Sequence, residues 1–165
     1  MPSIDADTLG RLFRTNAPAL RLFARQWGLN GDDLVQDAFV KLARQSPPPA
    51  QVVGWLYQVV RNGAIALARG SARRRRREGI ASAPEAWFES VDDRLDAQDA
   101  VHHLAKLSLE LREVIVAKIW GGLTFEHIAR LVDCSLPTAH RRYQAGLAEL
   151  SERINGQWTR SQPVT

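Results

Sequence analysis

The sequence predicts an all-α protein made of two small helical domains. Apolar residues recur every three or four positions along most of the chain, as they do on the buried face of a helix. The alternation of apolar and polar residues that marks strands is nearly absent. Residues 79–93, rich in small and acidic side chains, separate two helical parts. We therefore expect domains at residues 5–78 and 94–154, a flexible linker at 79–93 and a tail at 155–165.

The composition excludes several classes of protein. A hydrophobic fraction of 45% in 165 residues suits a folded globular chain rather than a disordered or collagen-like one. No apolar run reaches the roughly 18 residues of a membrane-spanning helix, and the N-terminus lacks the apolar core of a secretory signal. The single cysteine, Cys134, excludes a disulfide framework. We expect a cytoplasmic protein without membrane insertion.

Two helices are expected at the start of the N-terminal domain. The first covers residues 5–27 and should break at Asn16–Pro18, because proline interrupts helical hydrogen bonding. The second covers residues 32–44 and has an apolar stripe that should face the core. Its opposite side carries the polar residues Asp33, Gln36 and Asp37.

A third, longer helix is expected from about Gln51 to Ala68. Its apolar side consists of Trp55, Leu56, Val59, Val60 and Leu67. We expect Gly70 and Ser71 to loosen the helix before a cluster of arginines, because glycine is a poor helix former.

The positive charge is concentrated in one segment. Residues 61–78 hold seven arginines and one glutamate, whereas residues 79–105 hold six acids and one arginine. A run such as Arg73–Arg77 is either a solvated charged segment or a contact with a polyanion, most simply nucleic acid. Binding there would release counterions from the phosphates. The run by itself leaves both interpretations open.

Four more helices are expected at about residues 94–106, 109–120, 125–132 and 136–153. The last two form the most informative pattern in the chain. Thr124 can cap the first of them, and the three residues Asp133–Ser135 form a turn of the length used in helix-turn-helix motifs. The pattern predicts a helix-turn-helix.

The second helix of this motif has an apolar stripe and an outward polar face. The stripe consists of Ala139, Tyr143, Gly146, Leu147 and Leu150. This places His140, Arg141 and Gln144 outward, with Arg142 at the flank. Such a face can enter a major groove, where arginine binds guanine, glutamine binds adenine and a flanking arginine binds phosphate. The plainer alternative is a helical hairpin with a solvated basic face.

The sequence offers no pattern typical of catalysis or metal binding. Asp33 and Asp37 share a helix face, but no histidine or serine nucleophile lies near them in sequence. His102 and His103 are adjacent on a helix and therefore point in different directions. We expect neither an enzyme nor a cofactor or metal site.

Three motifs in a fixed order resemble the bacterial RNA polymerase sigma factors. Residues 31–42, GDDLVQDAFVKL, resemble the D-x-x-Q-[ED]-x-F helix of that family. Residues 55–65, WLYQVVRNGAI, followed by a basic run, resemble the W-L-x-x-[IV]-x-R-N signature of its region 2. Residues 107–115 and 122–143 resemble its region 4.

Between these regions there is room only for a linker, which is the layout of the extracytoplasmic-function (ECF, group 4) sigma factors. The resemblance covers roughly residues 5–154 and implies that the first domain is a region 2 bundle and the second a region 4 helix-turn-helix. Several positions depart from the family pattern. Ala66 replaces an aspartate, His127 replaces a glutamate, and Asp133 replaces the glycine of the turn. Ser108 replaces a proline, and Gln144 and Ala145 stand where many members carry an aromatic or basic residue.

The resemblance implies a sigma factor that binds core RNA polymerase, recognises promoter DNA and directs transcription initiation. Many members of the family are held by an anti-sigma factor, which is a possible partner here. The residues implied to bind polymerase are Asp33, Gln36 and Asp37. Those implied to contact the minus-ten element are Arg61, Asn62, Arg69, Arg73, Arg74, Arg75, Arg76 and Arg77. Those implied to read the minus-thirty-five element are Thr138, His140, Arg141, Arg142 and Gln144.

Two other functions remain as alternatives on the sequence. One is a helix-turn-helix DNA-binding regulator that acts without polymerase, usually as a dimer that reads paired half-sites. The other is an RNA-binding or adaptor helical protein whose arginine cluster is its only nucleic-acid contact.

Overall fold

The structure, a computed structural model, describes residues 3–27, 31–79 and 102–160, the last four of these without their side chains. The described residues are helical and contain no strand, which confirms the all-α fold. Their helices are α1 (Ala6–Arg25), α2 (Gly31–Ala43), α3 (Val52–Glu78), α4 (Leu109–Ile119), α5 (Phe125–Leu131) and α6 (Leu136–Arg160). A helical turn at residues 102–105 precedes α4.

Several expectations fall wholly or partly outside the described residues. The linker expected at 79–93 lies beyond them except for Gly79, and so does most of the helix expected at about 94–106. The final five residues of the expected tail also lie outside.

The first helix continues through its proline, so the break expected at Asn16–Pro18 is wrong. Pro18 lies inside α1 on the exposed side, while Leu20 and Phe23 are fully buried. Proline removes only one backbone donor, and the burial of the following turns holds the helix together.

At the N-terminus of α1, the backbone amide of Thr8 donates to the Asp5 carboxylate at 2.9 Å, which lowers the pKa of Asp5.

The third helix continues through Gly70 and the arginine cluster to Glu78, so the loosening expected at Gly70 is also wrong. A glycine in a helix costs only about 1 kcal/mol relative to alanine, and the arginines that follow are good helix formers. Arginines in the last turn also interact favourably with the helix dipole. The helix ends at Gly79, whose φ of 65° is in the left-handed region. Leu67, expected on the buried side, is 52% exposed.

The helix-turn-helix forms as expected. The Thr124 hydroxyl accepts a hydrogen bond from the backbone amide of His127 at 3.3 Å, and the Ser135 hydroxyl accepts one from the amide of Thr138 at 3.2 Å. These bonds confirm both caps. Asp133 in the turn has φ of 53°, which is unusual for a residue other than glycine.

A close crossing of α4 and α6 positions the second helix of the motif. A Cβ atom on Gly146 would lie 2.8 Å from Cγ1 of Ile115, so only glycine allows this approach. Ala139 and Gly146 are buried, as expected from the stripe. Leu147 was expected in the same stripe, but it is 38% exposed.

The two halves of the chain pack against each other. One cluster of buried residues includes Phe23, Leu56 and Val60 from α1 and α3 together with Val116 and Ile128 from α4 and α5. The two helical parts therefore share apolar surface in this conformation. No helix within the described residues is both long enough and apolar enough to cross a bilayer.

Candidate DNA-binding and polymerase-binding surfaces

The exposed start of α6 brings together the five residues that the sequence predicted for minus-thirty-five recognition. Arg141 is exposed, and its Nη2 donates to the Thr138 hydroxyl at 3.0 Å. The hydroxyls of Thr138 and Ser135 are 2.9 Å apart. This chain of hydrogen bonds orients the guanidinium at the surface.

His140 is exposed, but its ring is held against the preceding helix. The imidazole stacks on the Phe125 ring with centroids 3.9 Å apart and planes 33° apart. Lys118 places its ammonium 4.5 Å from the centre of the same Phe125 ring, a cation–π contact. His140 therefore points along the surface rather than freely into solvent.

The remaining two residues lie on either side of Arg141. Gln144 is exposed one turn further along α6. Arg142 is half-buried at the flank, and its Nη2 lies 3.7 Å from Oε1 of Glu110 on α4. Because Glu110 is largely exposed, this weak pair can exchange for a phosphate contact.

All of the basic residues predicted to contact the minus-ten element lie on α3. Arg69 and Arg73–Arg77 are all exposed. Since side chains three or four residues apart share a helix face, Asn62, Arg69, Arg73 and Arg76 follow one line along the helix. We call these four residues the α3 stripe. Arg74 and Arg75 point in other directions around the helix, and Arg77, four residues after Arg73, lies at the edge of the stripe.

Arg61 does not belong to the α3 stripe. It is turned toward the C-terminal half, where its Nε donates to Oε1 of Glu113 at 2.7 Å. The side chains of Arg61 and Glu113 are only 20% and 5% exposed. The neighbouring Asn62 is exposed and accepts a hydrogen bond from the Gln58 amide at 2.9 Å.

The contact between the halves also buries polar groups without partners. The Arg112 guanidinium donates to the backbone carbonyl of Gln26 at 3.1 Å. Within the described residues, neither the Gln26 side-chain amide nor the Tyr57 hydroxyl has a hydrogen-bond partner. Burial raises the pKa of Tyr57. The Tyr57 hydroxyl packs against Gly121, where an added Cβ atom would lie only 2.7 Å from the hydroxyl oxygen. Each unpaired buried group costs about 1–3 kcal/mol.

The pair of Arg61 and Glu113 was not predicted from the sequence. The available signal was a charged residue, Glu113, directly followed by the apolar run Val114–Ala117 within one short helix. A charge in such a position is buried only when it is paired. The identity of its partner, 52 residues away, depends on how the two halves pack.

The polar face of α2 is exposed as expected. Asp33, Gln36 and Asp37 are accessible, and Asp37 forms an i,i+4 pair with Lys41 at 2.7 Å. Asp33 and Gln36 form no hydrogen bond or ion pair with any part of the chain that the structure describes. Val40, 48% exposed, lies on the same face and adds an apolar surface that sequence analysis did not include.

Among the described residues, no group of three histidine, cysteine, aspartate or glutamate side chains is placed to hold a metal ion. The described residues include basic surfaces on α3 and α6 and an acidic surface on α2.

Comparisons with known proteins identify the family. The family model described as ECF sigma factor matches residues 11–155. The ECF RNA polymerase sigma factor EcfG of Rhodopseudomonas palustris (strain TIE-1) is 26% identical over 146 residues, which are 81% of this chain and 78% of EcfG.

Solved structures show the same architecture. The sigma factor RpoE, co-crystallised with the anti-sigma factor NepR from Bartonella quintana, has a TM-score of 0.74 and 26% identity. The alignment covers 92% of this chain and 98% of RpoE. CnrH, solved in complex with the cytosolic domain of CnrY, shares the fold with a TM-score of 0.63 and 23% identity, over 92% of this chain and 90% of CnrH.

These findings confirm the resemblance found in the motifs and do not favour a regulator that acts without polymerase. The family consists of transcription initiation factors rather than enzymes. The chain belongs to the ECF sigma factor family and, as a sigma factor, directs transcription initiation by RNA polymerase.

Proposed function

We propose that the start of α6 reads the minus-thirty-five element of the promoter. The observation that carries this proposal is the exposed Arg141 side chain, held in place by Thr138 at 3.0 Å. An arginine oriented in advance loses less side-chain entropy when it donates two hydrogen bonds to guanine. Gln144 and His140 flank it on the exposed surface, and Arg142 supplies a phosphate contact.

The α3 stripe contacts the minus-ten element in this proposal. From Asn62 to Arg76 the stripe runs about 21 Å at a rise of 1.5 Å per residue, long enough to follow several phosphates of a DNA strand. Its arginines bind the backbone, and the Asn62 amide can bond to a base that has left the stack. Arg61 joins this surface only when its pair with Glu113 is broken.

The α2 face of Asp33, Gln36 and Asp37 binds core RNA polymerase. Two carboxylates and an amide next to the exposed apolar Val40 suit a basic partner surface with an apolar centre. The absence of hydrogen-bond partners for Asp33 and Gln36 among the described residues supports this role, because the groups are available for an external contact.

An anti-sigma factor is proposed as a further partner. This rests on the likeness to RpoE, which was solved in complex with NepR. A pull-down with the tagged full chain from cells of its own organism would test the proposal; recovery of core polymerase without any additional regulator would contradict it.

Run-off transcription with core polymerase on genomic fragments tests the promoter assignment. The chain is expected to yield discrete transcripts whose start sites share two upstream sequence elements. The variant Arg141→Ala should change the preferred base at one position of the upstream element and leave the downstream element unaltered. An upstream element unchanged in that variant would contradict the proposed role of α6.

A further inference from the structure

The ring of His140 rests on an aromatic support at the proposed DNA-reading surface. Its imidazole lies 3.9 Å from the Phe125 ring, centroid to centroid, with the two planes only 33° apart. Phe125 is itself held in place, because it is half-buried against the core and Tyr143 meets it edge-on with the ring centroids 5.3 Å apart. One face of the imidazole is therefore covered, and the ring edge that carries both nitrogens is left for an external contact.

The nitrogens of His140 are not used inside the protein. Neither of them forms a hydrogen bond with any part of the chain that the structure describes. The other histidine of the motif, His127, differs in this respect, since its Nδ1 lies 3.0 Å from the Thr124 hydroxyl. His140 thus combines a fixed ring position with two unoccupied hydrogen-bonding atoms.

Positive groups surround His140 on two helices. On α4, the Lys118 ammonium lies 4.5 Å from the centre of the same Phe125 ring. On α6, Arg141 and Arg142 follow His140 directly, and Arg142 is paired weakly with Glu110 of α4. These cations attract DNA, and they repel a second positive charge on the imidazole.

The exposed Glu126 carboxylate on α5 acts in the opposite direction. Hydrogen bonds from its own backbone amide and from the Thr124 hydroxyl, followed by the nearby charges of His140 and His127, lower the pKa of Glu126. The carboxylate is therefore ionised wherever histidine changes its charge, between about pH 5 and 8, and it attracts an imidazolium at His140.

DNA would add further negative charge at this position. A neutral imidazole has one donor and one acceptor, whereas an imidazolium donates from both nitrogens. Hydrogen bonds from a charged donor to phosphate are roughly twice as strong as those between neutral groups. A DNA acceptor at the edge of His140 should therefore favour the protonated ring.

We propose that Phe125 is a positioning residue for His140 and that α6 binds the minus-thirty-five element with His140 in its imidazolium form. The ligand is an electron-rich acceptor on DNA, either a phosphate oxygen or the O6 and N7 edge of guanine. Because a bound state that holds the proton more firmly gains affinity as the pH falls, promoter affinity should decline as the pH rises through the range in which histidine titrates. The inference rests on the proposed minus-thirty-five role of α6, and its test separates the two.

The first test measures the affinity of the holoenzyme for a promoter fragment recovered by run-off transcription, at constant ionic strength. His140→Gln keeps a donor and an acceptor but cannot gain a charge. The ratio of unaltered to variant affinity cancels the pH response of the polymerase, and it should fall by about three- to fivefold between about pH 6 and about pH 8. His102→Gln, which changes an exposed histidine before α4, should give a constant ratio. A constant ratio for His140→Gln would overturn the inference.

The second test concerns the support of the ring. Phe125→Tyr keeps the aromatic face and should keep the pH dependence, whereas Phe125→Leu should lose most of it. Phe125→Leu with the full pH dependence would overturn the positioning role, because a purely structural role would lower affinity equally at every pH.

A variant of the exposed Glu126 does not depend on the fold of Phe125→Leu. Glu126→Gln should move the decline in affinity to lower pH, because the imidazolium loses its attracting carboxylate. Glu152→Gln removes the same charge from an exposed position further along α6 and should leave the decline in place. Identical profiles for these two variants would overturn the electrostatic part of the inference.

A randomised promoter library, transcribed at both pH values, distinguishes the two acceptors. A guanine preference at one position that is present at low pH and absent from His140→Gln identifies a base, whereas an equal change across all sequences identifies a phosphate. Arg141→Ala separates the two levels of the proposal. An upstream element unaltered in Arg141→Ala at both pH values would contradict the role of α6 itself. An altered element in that variant, together with a constant ratio for His140→Gln, would overturn only the inference about His140.

Discussion

The guanidinium of Arg141 donates a hydrogen bond to the hydroxyl of Thr138, 3.0 Å away and one helical turn nearer the start of α6. Thr138 is itself 2.9 Å from the capping hydroxyl of Ser135. The same short segment thus caps the helix and orients the side chain proposed to read DNA. A change at Thr138 should therefore disturb the orientation of Arg141 as well as the contact with the capping residue.

Removing the Arg141 side chain should reduce discrimination at one promoter position. If Arg141 binds a guanine, Arg141→Ala should lower the favourable binding free energy for a promoter with that guanine by about 1–3 kcal/mol. The base preferences at the other promoter positions should stay unchanged. Transcription from a randomised promoter library, read by sequencing, measures this directly. Arg153→Ala, which removes an exposed arginine near the other end of α6, is the matched control and should leave the profile unaltered.

Replacing Asp33 and Gln36 together with alanine should weaken binding to core polymerase. The two side chains are exposed and unpaired among the described residues, so their loss should not disturb the fold. We expect about a tenfold loss of affinity, which is about 1.4 kcal/mol. Asp7→Ala, which removes an exposed acid from α1, should bind as the unaltered chain does. Core polymerase retained in full by the double variant would reject the α2 face.

The α3 stripe should control the salt dependence of DNA binding. Each phosphate contact to single-stranded DNA contributes about 0.7 to the slope of log affinity against log salt. Arg73→Gln with Arg76→Gln should therefore reduce the slope by about 1.4 in total. Arg11→Gln with Arg14→Gln removes the same charge from exposed positions on α1; an equal reduction there would show a non-specific effect of net charge.

Replacing Asp133 with glycine should stabilise the helix-turn-helix. Asp133 has φ of 53°, a backbone conformation that strains residues with a Cβ but not glycine. We expect the free energy of unfolding to rise by about 0.5–1 kcal/mol. This value includes the larger backbone entropy that glycine has in the unfolded chain. Chemical denaturation measures the change. Asp133→Ala keeps the Cβ and loses the polar side chain, so it should not be stabilised; a gain in that variant would point to a cause other than backbone strain.

Two of the sequence expectations were wrong for related reasons. Pro18 and Gly70 are helix-breaking residues by local propensity, yet both lie inside continuous helices. Relative to alanine, a glycine inside a helix costs about 1 kcal/mol and a proline about 3 kcal/mol. On α1, burial of Leu20 and Phe23 outweighs the cost of Pro18. On α3 the consecutive arginines have a high helix propensity and interact favourably with the helix dipole, and together these terms outweigh the cost of Gly70.

The sequence by itself determined the all-α fold, the helix-turn-helix with both caps, and the exposed faces of α2 and α6. These features follow from side-chain spacing within single helices and from capping residues, which are local in the chain. Only the tertiary structure decided that Arg61 pairs with Glu113 and so lies apart from the α3 stripe, that Tyr57 is buried, and that the two halves share apolar surface. Such contacts join residues far apart in sequence, and they depend on how whole helices pack, which no local pattern encodes.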